Sequence, residues 1–237
     1  IDNDGDMDVL SASYSDNTIA WYENDGAADP SFSAADIATS AEGAYSVFAA
    51  DMDNDGDMDI LSASDTDDAI AWYENDGAAD PSFSAADIAT SADGVNFVFA
   101  ADMDNDGDMD ILSSSIGDDV IAWYENDGSN NPTWTAADIA SADGARSVFA
   151  TDMDNDGDKD VIVAAREQNN LLLLVNNYDA IVPTVSSVSS TNDDGAYKIG
   201  DVIAITVNWS EAAIVTGTPR IKLETGAIDQ YATYASG

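Results

Sequence analysis

The chain has 237 residues, and its 47 aspartate and glutamate residues against six lysine and arginine residues give a formal net charge of -41 at pH 7. All six basic residues lie at or beyond position 146, so the preceding part of the chain has no positive side chain with which to bind nucleic acid or an anionic membrane. Hydrophobic residues make up 45% of the chain, enough for a buried core, but no apolar run approaches the ~18 residues that a membrane span requires.

An aspartate-rich motif opens the chain and returns about every 51 residues. Its complete copies are Asp51–Asp59, Asp102–Asp110 and Asp152–Asp160. An incomplete copy occupies residues 1–8, where Ile1 matches Met52 and the preceding aspartate is missing. We therefore expect the sequence to be a piece of a longer protein.

The segments between these motifs have the alternation of β-strands. In the second repeat the strand signals, separated by turn residues, are Tyr45–Ala50, Met58–Ala63, Ala69–Glu74 and Phe83–Ala89. In the third of them Ile70 and Trp72 share one face while Ala71 and Tyr73 share the other, which suits a sheet stacked between two neighbours. Four short antiparallel strands per repeat predict an all-β fold of tandem four-stranded β-propeller blades, forming a partial propeller.

The fourth repeat departs from this pattern. Residues 171–177, L-L-L-L-V-N-N, replace the W-Y-E-N-D-G segment of the earlier repeats, and no A-A-D-I-A segment follows. The predicted repeats, which together form one propeller domain at residues 1–182, are 1–44, 45–95, 96–146 and 147–182.

The composition changes after residue 182. Residues 183–192 are rich in Ser, Thr and Val, and we predict a linker there. Ile203, Ile205 and Val207 then alternate with smaller or polar residues, as in a half-buried strand. Because the remaining length is about half of an immunoglobulin-like sandwich, we predict an incomplete Ig-like β-sandwich at residues 183–237.

The aspartate motifs predict metal sites, because carboxylates at every second position repel one another unless a cation lies between them. Calcium, which takes 6–8 oxygen ligands, is the natural ion, with up to four sites in the chain. In the second copy Asp51, Asp53 and Asp55 offer carboxylates from one side of a tight loop, Asp57 offers its backbone carbonyl, and Asp59 closes the shell. The predicted ligands are Asp2, Asp4, Asp6, Asp8, Asp51, Asp53, Asp55, Asp57, Asp59, Asp102, Asp104, Asp106, Asp108, Asp110, Asp152, Asp154, Asp156, Asp158 and Asp160.

Other calcium motifs with a D-x-D-x-D-G opening fit less well. An EF-hand needs Glu at its twelfth position, which is occupied here by Ser62, Ser113 and Val163. Dockerin-type loops repeat at shorter spacings with helices, and thrombospondin-type repeats rely on cysteines, which this chain lacks. The plain alternative, that the motifs are acidic surface turns, is weakened by four copies that keep their Asp and Gly positions.

The segment V-F-A-A-D-M-D-N-D-G-D-M-D at 47–59, its copies at 98–110 and 148–160, and the W-Y-E-N-D-G segments resemble FG-GAP/VCBS-type repeats. These repeats are the blades of calcium-loop β-propellers, such as those of integrin α chains and bacterial surface proteins. The resemblance implies that the first, third, fifth and ninth motif positions bind calcium by side chain and the seventh by backbone. The literal Phe-Gly and Gly-Ala-Pro signatures of integrins are missing, so integrin-like ligand recognition is not implied.

Residues 183–237 resemble the immunoglobulin-like modules of bacterial adhesins, through P-T-V-S-S-V-S-S, Y-K-I-G-D-V-I-A-I-T-V and V-T-G-T-P-R-I-K-L-E-T-G. This second resemblance implies a modular surface protein of a bacterium.

Catalysis is not predicted, and no catalytic residue is assigned. The chain has no His and no Cys, which excludes His-dependent serine triads, Cys–His nucleophiles and the usual His/Cys zinc sites. A carboxylate pair for glycoside hydrolysis needs two distinct environments, whereas Glu23, Glu74 and Glu125 recur identically before a turn. The Trp-Tyr pairs have two interpretations, an exposed platform for sugars or core between blades, and their recurrence inside strands favours core.

The sequence thus predicts a non-catalytic, calcium-binding repeat scaffold of a large secreted or cell-surface protein, acting in adhesion or ligand binding. Extracellular calcium modules bind with Kd near 10⁻⁴–10⁻³ M, which favours a location outside a bacterial cell. The expected partner is an extracellular protein or a glycan. The alternative is an accessory carbohydrate-binding propeller of a secreted polysaccharide-degrading enzyme.

Overall fold

The structure, a computed structural model, describes residues 1–176, 185–190, 203–209, 220–223 and 230–233. The chain divides into two compact units, Ile1–Tyr178 and Asp179–Gly237. All the regular secondary structure of the described residues is β-strand. No helix among them has the length and apolar character needed to cross a membrane.

The strands of the first compact unit fall into four groups that follow the sequence repeats. Repeats 1 and 2 contain β1 (Val9–Ser13), β2 (Thr18–Asn24), β3 (Phe32–Ala38), β4 (Ala44–Ala50), β5 (Asp59–Ser64), β6 (Ala69–Asn75) and β7 (Phe83–Ala89). Repeats 3 and 4 contain β8 (Val95–Ala101), β9 (Asp110–Ser115), β10 (Val120–Asn126), β11 (Trp134–Ser141), β12 (Ala145–Thr151), β13 (Asp160–Ala165) and β14 (Asn170–Leu174).

Each group forms its own antiparallel sheet, in which every strand pairs with the next along the chain. The sheets are β1-β2-β3, β4-β5-β6-β7, β8-β9-β10-β11 and β12-β13-β14. The four strands predicted for the second repeat are confirmed, with boundaries that differ by at most one residue. Small antiparallel sheets repeated along the chain are the arrangement expected of blades.

The hydrophobic core lies between consecutive sheets, because each central strand has apolar residues on both faces. On β6, Ile70 and Trp72 belong to the cluster that the second repeat shares with the third. Ala71 and Tyr73 belong to the cluster that it shares with the first. Burial of side chains of this size is worth about 1.5–3 kcal/mol each, so each sheet is stabilised by its neighbours.

The Trp-Tyr pair is therefore core in the second repeat, where Trp72 and Tyr73 are only 3% and 5% exposed. This burial confirms the packing interpretation and leaves neither ring available there as a sugar platform.

In the part of the chain that the structure describes, the fourth sheet has three strands, and apolar side chains are exposed on one of its faces. Leu173 on β14 pairs with Ile162, as Trp72 on β6 pairs with Leu61, so Leu173 occupies the tryptophan position of its repeat. Its side chain is 49% exposed, whereas Trp72 is buried by the third repeat.

The second compact unit is described in four strands. They are β15 (Val185–Ser190), which pairs with β16 (Ile205–Trp209), and β17 (Arg220–Leu223), which pairs with β18 (Gln230–Thr233). The linker predicted at residues 183–192 is wrong for 185–190, because this Ser- and Val-rich segment pairs with β16. The rest of the predicted Ig-like module lies largely outside the described residues.

Candidate metal centre

The aspartate motifs form the connections between the first and second strands of repeats 2, 3 and 4, and we call them loops 2, 3 and 4. Loop 1 is residues 1–8. In loop 2, Asp53 Oδ1 accepts a hydrogen bond from the backbone N–H of Asp55 at 3.3 Å, and Asp55 Oδ1 accepts one from Asp57 at 2.9 Å. Asp51 Oδ2 accepts one from the backbone N–H of Gly56 at 3.0 Å. These local bonds turn successive carboxylates toward the inside of the loop.

The loops bring carboxylates together in groups of three. In each group one oxygen from every residue lies within 4.8 Å of the others. The groups are Asp51, Asp53 and Asp59 in loop 2, Asp102, Asp104 and Asp106 in loop 3, and Asp152, Asp154 and Asp160 in loop 4. The predicted ligands Asp55, Asp110 and Asp156 lie in the same loops but outside these groups. Among the described residues no such group comes from loop 1.

The aspartate at the ninth motif position accepts two backbone hydrogen bonds in each complete loop. Asp59 has no exposed surface, and its two oxygens accept hydrogen bonds from the backbone N–H groups of Met52 at 3.1 Å and Asn75 at 2.8 Å. Asp110 repeats this arrangement with Met103 at 3.0 Å and Asn126 at 2.8 Å. Burial raises the pKa of both carboxyls to about 6, although these hydrogen bonds act in the opposite direction.

Two carboxylate oxygens in this part of the chain are buried without compensation. Asp51 Oδ1 and Asp102 Oδ1 have no hydrogen-bond partner among the described residues. A buried oxygen of this kind is costly unless a donor or a cation meets it. Burial and the neighbouring carboxylates also raise the pKa of Asp53 and of Asp104. An all-oxygen donor set with unpaired buried lone pairs fits a hard divalent cation, so these residues could hold one.

The seventh-position side chains are used differently and belong to none of the three groups. Asp57 Oδ1 accepts a hydrogen bond from Asn3 Nδ2 of loop 1 at 2.6 Å. The same bond joins Asn54 to Asp108 at 2.5 Å and Asn105 to Asp158 at 2.9 Å. The seventh carboxylates therefore connect successive loops, which leaves only their backbone carbonyls for the role predicted from the sequence.

The loop-connecting asparagines are functional residues that the sequence reasoning missed. Asn54 has a φ of 60° and Asn105 one of 62°, a left-handed conformation that asparagine tolerates better than most residues. The available signal was the asparagine at the fourth motif position of all four copies, Asn3, Asn54, Asn105 and Asn155.

The ninth motif position of loop 1 is held as it is in the complete loops. The nitrogen of Ile1, the residue that matches Met52, lies 2.8 Å from Asp8 Oδ2, and the backbone N–H of Asn24 donates to Asp8 Oδ1 at 2.9 Å. The predicted ligands Asp2, Asp4 and Asp6 precede Asp8 in loop 1. Asp8 therefore has the partners that Asp59 has in Met52 and Asn75.

Comparison with protein-family models gives three overlapping matches to the FG-GAP-like repeat, at residues 1–62, 51–113 and 102–163. The chain belongs to the FG-GAP-like repeat family. Each match begins at or near the first residue of one aspartate motif and runs into the second strand of the next repeat. The FG-GAP-like repeats thus contain every loop described above.

Six chains of solved structures match this FG-GAP-like protein, whereas a search of curated proteins gives no match. One is a lectin from Agrocybe aegerita, described in connection with specific recognition of non-reducing terminal N-acetylglucosamine. It is 18% identical, with a TM-score of 0.46, over 74% of the present chain and 50% of the lectin chain. The chain therefore spans about half the length of that lectin.

Proposed function

We propose that the FG-GAP-like repeats are a non-catalytic, calcium-binding scaffold of a secreted or cell-surface bacterial protein. The observation that carries the calcium proposal is the pair of buried, unpaired oxygens, Asp51 Oδ1 and Asp102 Oδ1, each in a group of three carboxylates. Bound calcium would neutralise those carboxylates and order the loop that joins the first two strands of a blade.

The proposed ligands follow the motif positions in each complete loop. In loop 2 they are the side chains of Asp51, Asp53, Asp55 and Asp59 with the backbone carbonyl of Asp57. The equivalent residues of loops 3 and 4 are Asp102, Asp104, Asp106, Asp110 with Asp108, and Asp152, Asp154, Asp156, Asp160 with Asp158. In loop 1 the equivalent residues are the side chains of Asp2, Asp4 and Asp8 with the backbone carbonyl of Asp6.

Calcium titration of the whole chain tests this proposal. With free calcium at ten to a hundred times Kd, each site is expected to add about 1.4–2.7 kcal/mol to the free energy of unfolding. Isothermal titration calorimetry should detect at least three sites, and chelator should lower the melting temperature. The substitution Asp53→Asn should remove one site, and Asp87→Asn, at an exposed position of the same repeat, should remove none. A melting temperature indifferent to chelator would overturn the proposal.

The proposed biological role is adhesion or the binding of an extracellular protein or glycan, with residues 183–237 as a partial Ig-like module. Support for this role comes from membership of the FG-GAP-like repeat family. A glycan array and an extracellular-matrix protein array, both probed with calcium-loaded protein, test it. Retention on neither array would count against this role while leaving the calcium proposal intact.

The accessory carbohydrate-binding propeller remains the alternative. Its simplest form, sugar stacking on repeated Trp-Tyr platforms, is not supported in the second repeat, where both rings are buried. Sugar binding on the glycan array that persists after removal of calcium would favour this alternative over a calcium-dependent adhesion role.

A further inference from the structure

A cavity of about 230 Å³ lies between the third and fourth repeats. It is lined by Met103, Trp123, Ile139, Val161, Leu174, Val175 and Asn176. All of these side chains but one are apolar. The volume lies below the ~300–1,000 Å³ of sites for drug-sized ligands, so the cavity matches a single large side chain better than a small organic molecule.

The corresponding places in the two preceding interfaces are filled by an aromatic ring from an outer strand. Trp134 begins β11, pairs with Asn126 at the end of β10, and packs against the cluster shared by repeats 2 and 3. Phe83 begins β7, pairs with Asn75, and packs against the cluster shared by repeats 1 and 2. Asn176 occupies in repeat 4 the position of the asparagines Asn75 and Asn126, and it lines the cavity.

Among the residues that the structure describes, no strand pairs with the outer edge of the fourth sheet, which lies beside the same cavity. Strands β6 and β10 each pair with a neighbour on both sides, and one of these neighbours is the outer strand, β7 or β11. Among the described residues β14 pairs only with β13. A strand edge of this kind presents a row of N–H and C=O groups, to which an extended segment can add by backbone hydrogen bonds.

We propose that the outer edge of β14, which has no pairing strand in the described part of the chain, and the adjoining cavity bind, in trans, an extended segment that begins with an aromatic residue. The outer strands of this chain define its chemistry: Phe or Trp at the first position, then small residues in the pattern S/T-A-A-D-I-A. The aromatic ring enters the cavity opposite Asn176, and the backbone that follows pairs with β14 as a fourth strand. With this segment bound, the fourth sheet has four strands, as the second and third sheets do.

The probe is a fluorescein-labelled peptide of residues 131–141, N-P-T-W-T-A-A-D-I-A-S, added to the whole chain in calcium and about 0.15 M salt. Fluorescence anisotropy should give saturable binding. A peptide with Trp134→Ala should bind about ten to a hundred times more weakly, because it lacks the ring that fills the cavity. A peptide N-methylated at alternate backbone amides keeps the ring but cannot pair along β14, and it should also lose binding.

The protein variants are chosen at exposed positions so that they fold. Val175→Lys places a charge on the wall of the cavity at a residue that is 46% exposed, and it should weaken binding at least tenfold. Val9→Lys is the matched control, because Val9 is 48% exposed on β1 of the first repeat, and it should bind the peptide as the parent does. Far-ultraviolet circular dichroism and melting in calcium verify that both variants keep their strands.

Three outcomes overturn the proposal. The first is that the parent chain does not bind the peptide, which would mean that its own residues already cover the edge. The others are equal binding of the Trp134→Ala peptide and equal binding by Val175→Lys. All three are independent of calcium affinity, so they can be distinguished from failure of the calcium proposal.

Discussion

The side-chain amide of Asn126 donates a hydrogen bond to the backbone carbonyl of Met52, 74 residues earlier, over 2.8 Å. Its second donor reaches the carbonyl of Met109, in loop 3 of the same repeat, at 3.0 Å. Asn75 makes the equivalent pair of bonds to Ile1 and Met58. One buried asparagine at the end of a central strand therefore connects its own aspartate loop with the loop of the preceding repeat.

This connection predicts that Asn126→Ala destabilises the chain strongly. The substitution leaves two carbonyls without their donor in a buried place, with an expected loss of about 2–3 kcal/mol in the free energy of unfolding. Chemical denaturation in saturating calcium measures it. The matched control is Asn24→Ala, because Asn24 lies at the same position of repeat 1 and its side-chain amide donates, among the described residues, only to Met7, in an exposed bond. Equal losses for the two variants would contradict the prediction.

Successive loops are also connected by Asn54, whose amide donates to Asp108, and this bond predicts coupling between neighbouring metal sites. Asn54→Gly removes the side chain without strain, because glycine readily adopts the φ of 60° at this position. Since the bond is exposed, we expect a modest effect, about 0.5–1 kcal/mol, or a two- to fivefold increase in the Kd for calcium at loop 3.

Calorimetry of Asn54→Gly in an Asp53→Asn background, which lacks the loop 2 site, would assign that change to a neighbouring loop. The control is Asn155→Gly at the same motif position of loop 4, where the side chain donates no hydrogen bond among the described residues and φ is 65°. The prediction would be wrong if both glycine variants changed calcium affinity alike.

Protonation of Asp59 and Asp110 should be visible in the metal-free chain. Their folded-state pKa of about 6 lies above the ordinary value of 3.8, so between these pH values the folded state binds more protons than the unfolded state. Their contribution to stability therefore falls as pH rises from 4 to 6, by about 3 kcal/mol for each carboxyl, and calcium should reverse the trend by binding the ionised form.

Carboxyl nuclear magnetic resonance titration in chelator measures these two groups directly. We expect midpoints near pH 6 for Asp59 and Asp110. Asp76 is the internal reference, because hydrogen bonds from the Ser82 side chain and backbone lower its pKa. Titration of Asp59 and Asp110 at or below the midpoint of Asp76 would contradict the conclusion that burial raises the pKa of these two carboxyls.

Much of the fold follows from periodicity alone. The recurrence of the aspartate motif gave the repeats, and the alternation of Ile70 and Trp72 with Ala71 and Tyr73 gave a central strand with two buried faces, as the structure has it. Alternation predicts the central strand correctly because its two faces pack against neighbouring sheets of similar sequence. The prediction of a linker at residues 185–190 was wrong because small and polar residues are also typical of linkers, and the strand that pairs with this segment lies about 20 residues away.

The site was less predictable, because its supports are not local in the sequence. Aspartate spacing indicated which residues would approach one another, but not that Asp106 rather than Asp110 would join Asp102 and Asp104. The donors to Met52 and Met58 come from side chains at the ends of other strands, and nothing in the motif itself marks them.

Two glycines of the second repeat should respond differently to alanine. Gly56 and Gly77 have φ values of 97° and 66°, so a Cβ at either is strained by about 1–2 kcal/mol. At Gly56 that Cβ would meet no atom within 4 Å, whereas at Gly77 it would overlap with Asp57 Oδ2. Gly77→Ala must therefore also displace the Asp57 carboxylate from its hydrogen bond with Asn3.

The side-chain amide signal of Asn3 in a proton–nitrogen correlation spectrum reports that displacement. It should move in Gly77→Ala and stay in place in Gly56→Ala, while both variants lose stability in denaturation experiments. We expect the loss to be larger for Gly77→Ala by about 1 kcal/mol, the typical worth of one hydrogen bond. If the two variants lost equal stability and the Asn3 signal stayed unchanged in both, backbone strain alone would explain the glycine at position 77, and the contact with Asp57 would have no energetic role.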